Sequence, residues 1–546
     1  MKKNSFMQGA FIATFGIVIT KIIGILYVIP FYSIIGEKGG ALYGYAYNIY
    51  NIFLNISTAG IPMAISKIIS EYNALELYAD KENAFKIGKK IALVLSVVSF
   101  VILFFFAPTI AYLIIGDIEG GNSIEEITFV IRVISSAIII VPILSVYRGY
   151  FQGHKYIKPT SVSQVIEQIV RVSFIIVGSF LAMRVFNFSL TTSVGIAVFG
   201  ATIGAFSSYA YIIRKYYCNR SNFVRGCNKE KTITDKEILR LIILYALPLV
   251  LIDIFKSIYN SVDMMTVVRT LVNGIGYSVA DAERVMSVIS TWGSKLNMIV
   301  TSIGVGIVVS LVPNLSESFV INDQKEINKK INRTFEILLF FILPMTIGLS
   351  LLSKAVWMIF YGYSELGFIT FGYSIFAALF LSLFSTTISM VQILKDYKFV
   401  MISLITGFLL KVLLNIPLIH LFDNLGLTPH YGNITATIIG YFIPFLICII
   451  RLKKKFKVDF HDLEDKIPHI IFGTSLMSVT IVSLGMLLPM YSMNRMLNIP
   501  LVIIYTLVGI SVYIFYLWKM QVIDKIFGKN ILRKILEKIK KLLPNK

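Results

Sequence analysis

Runs of roughly 20 apolar residues recur along the whole chain, and each can carry a helix across about 30 Å of hydrocarbon. In lipid every backbone N–H and C=O must find its partner inside the protein, so such runs fold as spanning helices. They are continuous rather than alternating, which excludes a β-barrel. Only 15% of the 546 residues are charged, where a soluble domain carries about 25%. The fold class is an all-α polytopic membrane protein. About fourteen spans are expected, near 6–34, 41–69, 90–115, 124–149, 160–182, 191–214, 237–260, 286–312, 334–357, 367–388, 399–420, 431–450, 468–490 and 498–518. The first runs into "PFYSIIGEKGG" without a small-residue cleavage site, so it reads as a span and not as a removable signal peptide.

The net charge of +21 raises nucleic acid as a partner, and the placement of the charge argues against it. Alternate loops hold about 38 of the 51 Lys and Arg, on the side of the N-terminus, against about six on the other side. The heavy loops include "RKYYCNRSNFVRGCNKEK", "KEINKKINR" and "RLKKKFK"; "GDIEGGNSIEE" and "DNLGLTPHYGN" carry no Lys or Arg. That asymmetry places both termini in the cytoplasm of a cell membrane, with anionic bilayer lipids as the partner of the basic surface. The tail at 524–543 alternates Ile and Leu with Lys, as an amphipathic helix on the inner leaflet or as a solvated basic tail. Cys218, Cys227 and Cys448 form neither a disulfide framework nor a metal site. No P-loop, H-E-x-x-H or nucleophile elbow occurs, so a non-enzyme is expected, without a resident cofactor or metal.

The chain also repeats itself. "GIPMAISKIISE" from Gly60 matches "GIVVSLVPNLSE" from Gly306, and "PTIAYLIIG" matches "KAVWMIFYG". Lys155, Lys158 and Arg171 recur at the same spacing as Lys395, Lys398 and Lys411. Three matches six spans apart predict a six-plus-six duplication, with halves 1–225 and 226–455, two appended spans in 456–520 and the basic tail 521–546.

A charge at mid-bilayer costs at least about 2.5–3.5 kcal/mol, so charged residues inside spans mark interior sites. The candidates are Lys21, Glu167, Arg171, Asp253, Lys256, Lys295 and Lys411, five cations against two acids. Glu167 and Arg171 are spaced to pair with each other, flanked by Gln164 and Gln168; Asp253 can pair with Lys411 or Lys256. Lys21 and Lys295 have no acid in their own spans. The duplication would bring Arg171 and Lys411 toward one central cleft. A surplus of buried cations asks for an anion, and phosphate suits Arg and Lys. A drug exporter for hydrophobic cations would want acids instead, which disfavours drug or cation antiport.

The segments "GILYVIPFYSIIGEKGGALYGYAYNIYNIFLNISTAGIPMAISKIISEYNAL" and "YRGYFQGHKYIKPTSVSQVIEQIVRV" resemble the Gram-positive MurJ branch of the multidrug/oligosaccharidyl-lipid/polysaccharide exporter superfamily. Sporulation-type polysaccharide exporters are near relatives, and the resemblance runs across essentially the whole chain. It implies a flippase for lipid II, the undecaprenyl-pyrophosphate-linked peptidoglycan precursor, working by alternating access between two six-helix lobes. It implies that spans 13 and 14 hold the polyprenyl tail, and that cell-wall synthesis proteins are partners. Lys21 and Lys295 fall where the family has cavity arginines. A second span 1 arginine of the family falls at Tyr27, and a span 2 arginine has no counterpart, so Arg171 is the candidate replacement. Some members bind Na⁺ through an Asp of span 7 and polar residues of span 11. Here the corresponding set is Asp253, Lys411 and Asn415, and the expectation is that the Lys411 ammonium stands in for the metal ion. Na⁺ or H⁺ coupling and the membrane potential are the candidate driving forces. Export of another undecaprenyl-linked oligosaccharide is the alternative, and a non-transporting scaffold a more distant one.

Overall fold

The structure is a computed structural model that describes residues 19–58, 60–116, 118, 120–223, 232–321 and 323–527; a few side chains among these, including that of Lys256, lie outside the described set. The basic tail beyond residue 527 also lies outside it. The described residues are overwhelmingly helical. In chain order the principal helices are α1 (Val28–Thr58), α2 (Ile61–Ala74), α3 (Tyr78–Phe105), α4 (Ala107–Ile115), α5 (Ile124–Gly153), α6 (Ile157–Phe180), α7 (Leu190–Cys218), α8 (Asp235–Arg269), α9 (Val279–Ser287), α10 (Gly293–Val320), α11 (Gln324–Leu351), α12 (Ser353–Tyr361), α13 (Glu365–Ile393), α14 (Tyr397–Asn424), α15 (Tyr431–Lys455), α16 (Ile467–Gly485), α17 (Asn498–Lys519) and α18 (Val522–Phe527).

Twelve segments among the described residues are long and apolar enough to cross a membrane. Against the fourteen expected, the first two run together in Val28–Ala74, and the eighth corresponds to α10. Local chemistry sets the helix starts. Ser123 and Thr234 form capping boxes with Glu126 and Glu237, and Ser189, Ser278, Asp323 and Ser364 each accept from a first-turn N–H. At Gly36 (φ 63°) the chain enters the left-handed region and α1 kinks between the first two spans.

The described chain falls into two compact units, one of Met1–Leu296 with Phe408–Ala436 and one of Asn297–Gly407 with Thr437–Lys546. Their internal geometry repeats as the sequence does. After α5, Lys155 adopts φ 64°, its N–H bonds Gln152 O at 2.9 Å and Tyr156 N–H bonds Phe151 O at 2.9 Å. After α13, Lys395 adopts φ 60°, its N–H bonds Gln392 O at 3.0 Å and Asp396 N–H bonds Val391 O at 3.2 Å. The α3–α4 break at Phe106 matches the α11–α12 break at Leu352, and the short helices end at Gly116 (φ 66°) and Gly362 (φ 81°). A guanidinium caps each short helix: Arg269 bonds the Tyr112 and Leu113 carbonyls, Arg495 those of Ile359 and Phe360.

Candidate functional site

In the first unit α5, α6 and α7 meet around Glu167. Arg148 on α5 donates Nη2 to Glu167 Oε2 and to Ser208 Oγ at 2.8 and 2.9 Å, and its Nε to Ser163 Oγ at 2.9 Å. Arg171, one turn beyond Glu167, donates to the other carboxylate oxygen. Close approach of α7 makes this arrangement fit: a Cβ on Gly204 would lie 2.7 Å from Glu167 O and 3.0 Å from Arg171 Cβ. Two guanidiniums thus share one carboxylate, leaving a surplus positive charge. Arg171 keeps 23% of its side chain exposed, and its Nε has no hydrogen-bond partner. The expected Glu167–Arg171 pair forms, but the sequence analysis missed Arg148. It stands at the end of the expected span 124–149, and its partners lie 15, 19 and 60 residues away.

From this triad a line of aromatic side chains leads to the other candidate cations. The Tyr47 hydroxyl is buried, close enough to Arg171 for their charges to interact. The Tyr43 and Tyr47 rings lie 4.4 Å apart, and the Tyr43 hydroxyl bonds the Tyr27 hydroxyl at 3.3 Å. The Lys295 ammonium sits 5.7 Å from the Tyr27 ring centre. Lys21 lies close enough to Lys295 for the two charges to repel, and neither has an ion-pair partner among the described residues. Gln168 faces the helical residues 19–26 that precede α1, its Nε2 3.4 Å from where a Cβ on Gly24 would stand. Gln164 is exposed one turn earlier on the same face. Lys21, Tyr27, Gln168, Arg171 and Lys295 therefore gather in one unit, with Glu167 behind Arg171. Four cations, Arg148 included, face one acid.

Lys411 belongs to the same unit but makes a separate pair. Its ammonium is completely buried, 2.6 Å from Asp263 Oδ1 and donating to Asn433 O at 3.0 Å; Asn433 Nδ2 bonds the same carboxylate at 3.1 Å. Two expectations are corrected here. Lys411 does not face a cleft beside Arg171, and its acid on α8 is Asp263, not Asp253. Ten residues put the two acids about 15 Å apart along a helix, a depth that the sequence pattern leaves open. The backbone carbonyl of Asp253 accepts from the Ser257 hydroxyl, which in turn accepts from Asn55 at 2.5 Å. Asn415 is buried and donates to Thr266 Oγ1 at 2.6 Å, on the same two helices as the Lys411–Asp263 pair. A carboxylate and a backbone carbonyl converging on one point make a cation site, and here the cation is tethered to α14.

The second unit contains an apolar groove of about 300 Å³ between α11, α12, α16 and α17, lined by Phe340, Gly348, Leu352, Met477, Tyr505 and Gly509 among others. Its tyrosines bond away from the space, Tyr505 to Leu488 O and Tyr513 to Phe340 O, so the lining stays greasy. At one end Phe527 of α18 packs on Phe340, with ring centres 5.0 Å apart.

A family model described as "Polysaccharide biosynthesis protein" matches residues 6–319. Over 541 residues, 97% of this chain and 98% of the other, the sequence is 33% identical to "Lipid II flippase MurJ" of Bacillus subtilis (strain 168). The chain belongs to this polysaccharide biosynthesis family. A third of it, 177 residues, is 32% identical to "Stage V sporulation protein B" of the same organism, covering 33% of that protein. The solved structure of "Lipid II flippase MurJ, inward closed conformation" has a TM-score of 0.62 at 18% identity, covering 94% of this chain and 99% of that one. An inward-facing multidrug resistance MATE family transporter of the MOP superfamily gives 0.61 at 15%, covering 82% and 99%. The fold is that of the MOP exporters, in a multi-pass membrane protein.

Proposed function

We propose that this protein moves lipid II from the inner to the outer leaflet by alternating access, as a transporter and not an enzyme. The observation that carries the reading is the cation surplus around Tyr27 and Tyr47, in a chain similar along its length to a protein named as a lipid II flippase. A pyrophosphate leaving water loses its hydration, and Arg171, Lys21 and Lys295 supply charge-assisted bonds in its place. Arg148 holds Glu167 while Arg171 turns from the carboxylate to the phosphate, so the acid is never left buried and bare. The greasy groove takes the polyprenyl tail, at about 0.8 kcal/mol per buried methylene.

The lysine-rich side faces the cytoplasm, as do both termini. The Lys411 ammonium occupies the place of a coupling metal ion, which leaves the membrane potential to return the empty cationic cavity inward, at roughly 2.3 kcal/mol per charge per 100 mV. An unchanged flipping rate after collapse of the potential would contradict that step. The experiment that tests the function is depletion in the host cell, with an external lipid II-cleaving enzyme as probe. Lipid II becoming protected supports flipping. If it stays accessible and another surface glycan disappears, the cargo is a different undecaprenyl-linked unit, the reading favoured by the family description and the partial match to the sporulation protein.

A further inference from the structure

Glu283, on α9 of the first unit, is 2% exposed. Its Oε1 accepts the Asn122 backbone N–H at 2.7 Å, and the Asn122 side chain also favours the ionised carboxylate. Nearby, the hydroxyl of fully buried Tyr45 on α1 is unpartnered. The neighbouring guanidinium turns away: Arg284 reaches Glu37 at 3.6 Å and Asp281 at 3.5 Å. Two other charges act on Glu283, Lys38 on α1 favouring its ionised form and Glu126 on α5 opposing it. Residues 117 and 119 of the adjoining loop lie outside the described set. Burial pushes this carboxyl above its ordinary range, and the hydrogen bonds from the Asn122 backbone and side chain only partly offset it.

The residues around Glu283 press on it closely. A Cβ on Gly121 would stand 2.7 Å from its carboxyl carbon. Just beyond α9, Thr291 Oγ1 donates to Gly40 O at 2.9 Å, and Trp292 and Ser290 press on α1 so closely that a Cβ on Gly40 or Gly44 would fall at 2.2 or 2.6 Å. This seam between α1, α9 and the 120–123 loop lies just past the Gly36 kink of α1, and its loop belongs to "GDIEGGNSIEE", which carries no Lys or Arg. On the transport reading above, it must part for the cavity to open outward.

We propose that Glu283 is a proton-binding site of this seam: it takes a proton from the outer medium when the seam closes and returns it to the same medium when the seam opens. No net proton crosses the membrane; the external pH sets the balance between closed and open. A carboxyl whose affinity for protons is higher in the closed state favours that state fully below its open-state pKa. The advantage is lost as external pH rises through the closed-state value, by up to about tenfold in the closed-to-open ratio per pH unit.

The test is impermeant-thiol labelling from outside of a Ser290→Cys variant of the full-length protein in proteoliposomes, with Cys218, Cys227 and Cys448 replaced. Labelling is expected to accelerate as external pH rises, to ignore internal pH, and to become flat in pH when Glu283→Gln is added. A Glu283→Gln protein that keeps the wild-type pH profile overturns the proposal, as does a seam unlabelled at every pH. Glutamine copies the neutral acid, so a variant that fails to reach the membrane also counts against it. The labelling needs no lipid II; flipping measured in the same vesicles tests the transport reading separately.

Discussion

At the scale of single residues the site is an imbalance of charge. Arg148→Gln leaves Glu167 to neutralise Arg171 completely, and lipid II binding is expected to weaken about tenfold or more, the worth of one charged hydrogen bond. Arg148→Gln with Glu167→Gln restores the single surplus charge, so binding measured on the purified protein should recover in the double variant. No recovery would mean that Arg148 acts through packing alone. Lys411→Ala leaves Asp263 buried without its cation, a loss of about 3–5 kcal/mol that thermal unfolding should register. Na⁺ should recover part of that loss in the variant and do little for the wild type. The sequence made Glu167–Arg171 legible because one helical turn pairs them, and Lys21 and Lys295 because they interrupt apolar runs. Arg148 and Asp263 stayed hidden because their partners come from other helices, and nothing in a local pattern encodes depth.

At the scale of elements, the caps, breaks and turns were largely written locally. "PTIAYLIIG" and "KAVWMIFYG" each end on the glycine that the left-handed turn requires, at Gly116 and Gly362. The groove was expected only through the family resemblance, since an apolar groove wall and a lipid-facing surface have the same composition. Its part in transport can be tested at Gly348, where a new Cβ meets nothing closer than Met477 Cε at 4.0 Å. Gly348→Leu should fold, fill the groove and slow the flipping of a long-chain substrate several-fold. A short-chain analogue should be much less affected. Equal slowing of both would remove the groove from the account.

At the scale of the whole molecule, the matched sequence segments carry equivalent turns at Lys155 and Lys395, yet their matched cations Arg171 and Lys411 are used differently. Arg171 stays partly exposed over a shared carboxylate; Lys411 is sealed into an ion pair. On the proposed transport reading, Arg171 serves an anionic cargo, while Lys411 is held as a fixed internal charge. The most direct test is flipping of lipid II by the purified protein in proteoliposomes, comparing wild type with Lys21→Ala, Arg171→Ala and Lys295→Ala at equal reconstitution. The account predicts flipping by the wild type and a loss of at least about tenfold in each variant, most severe at Arg171. Undiminished flipping in all three variants would contradict it.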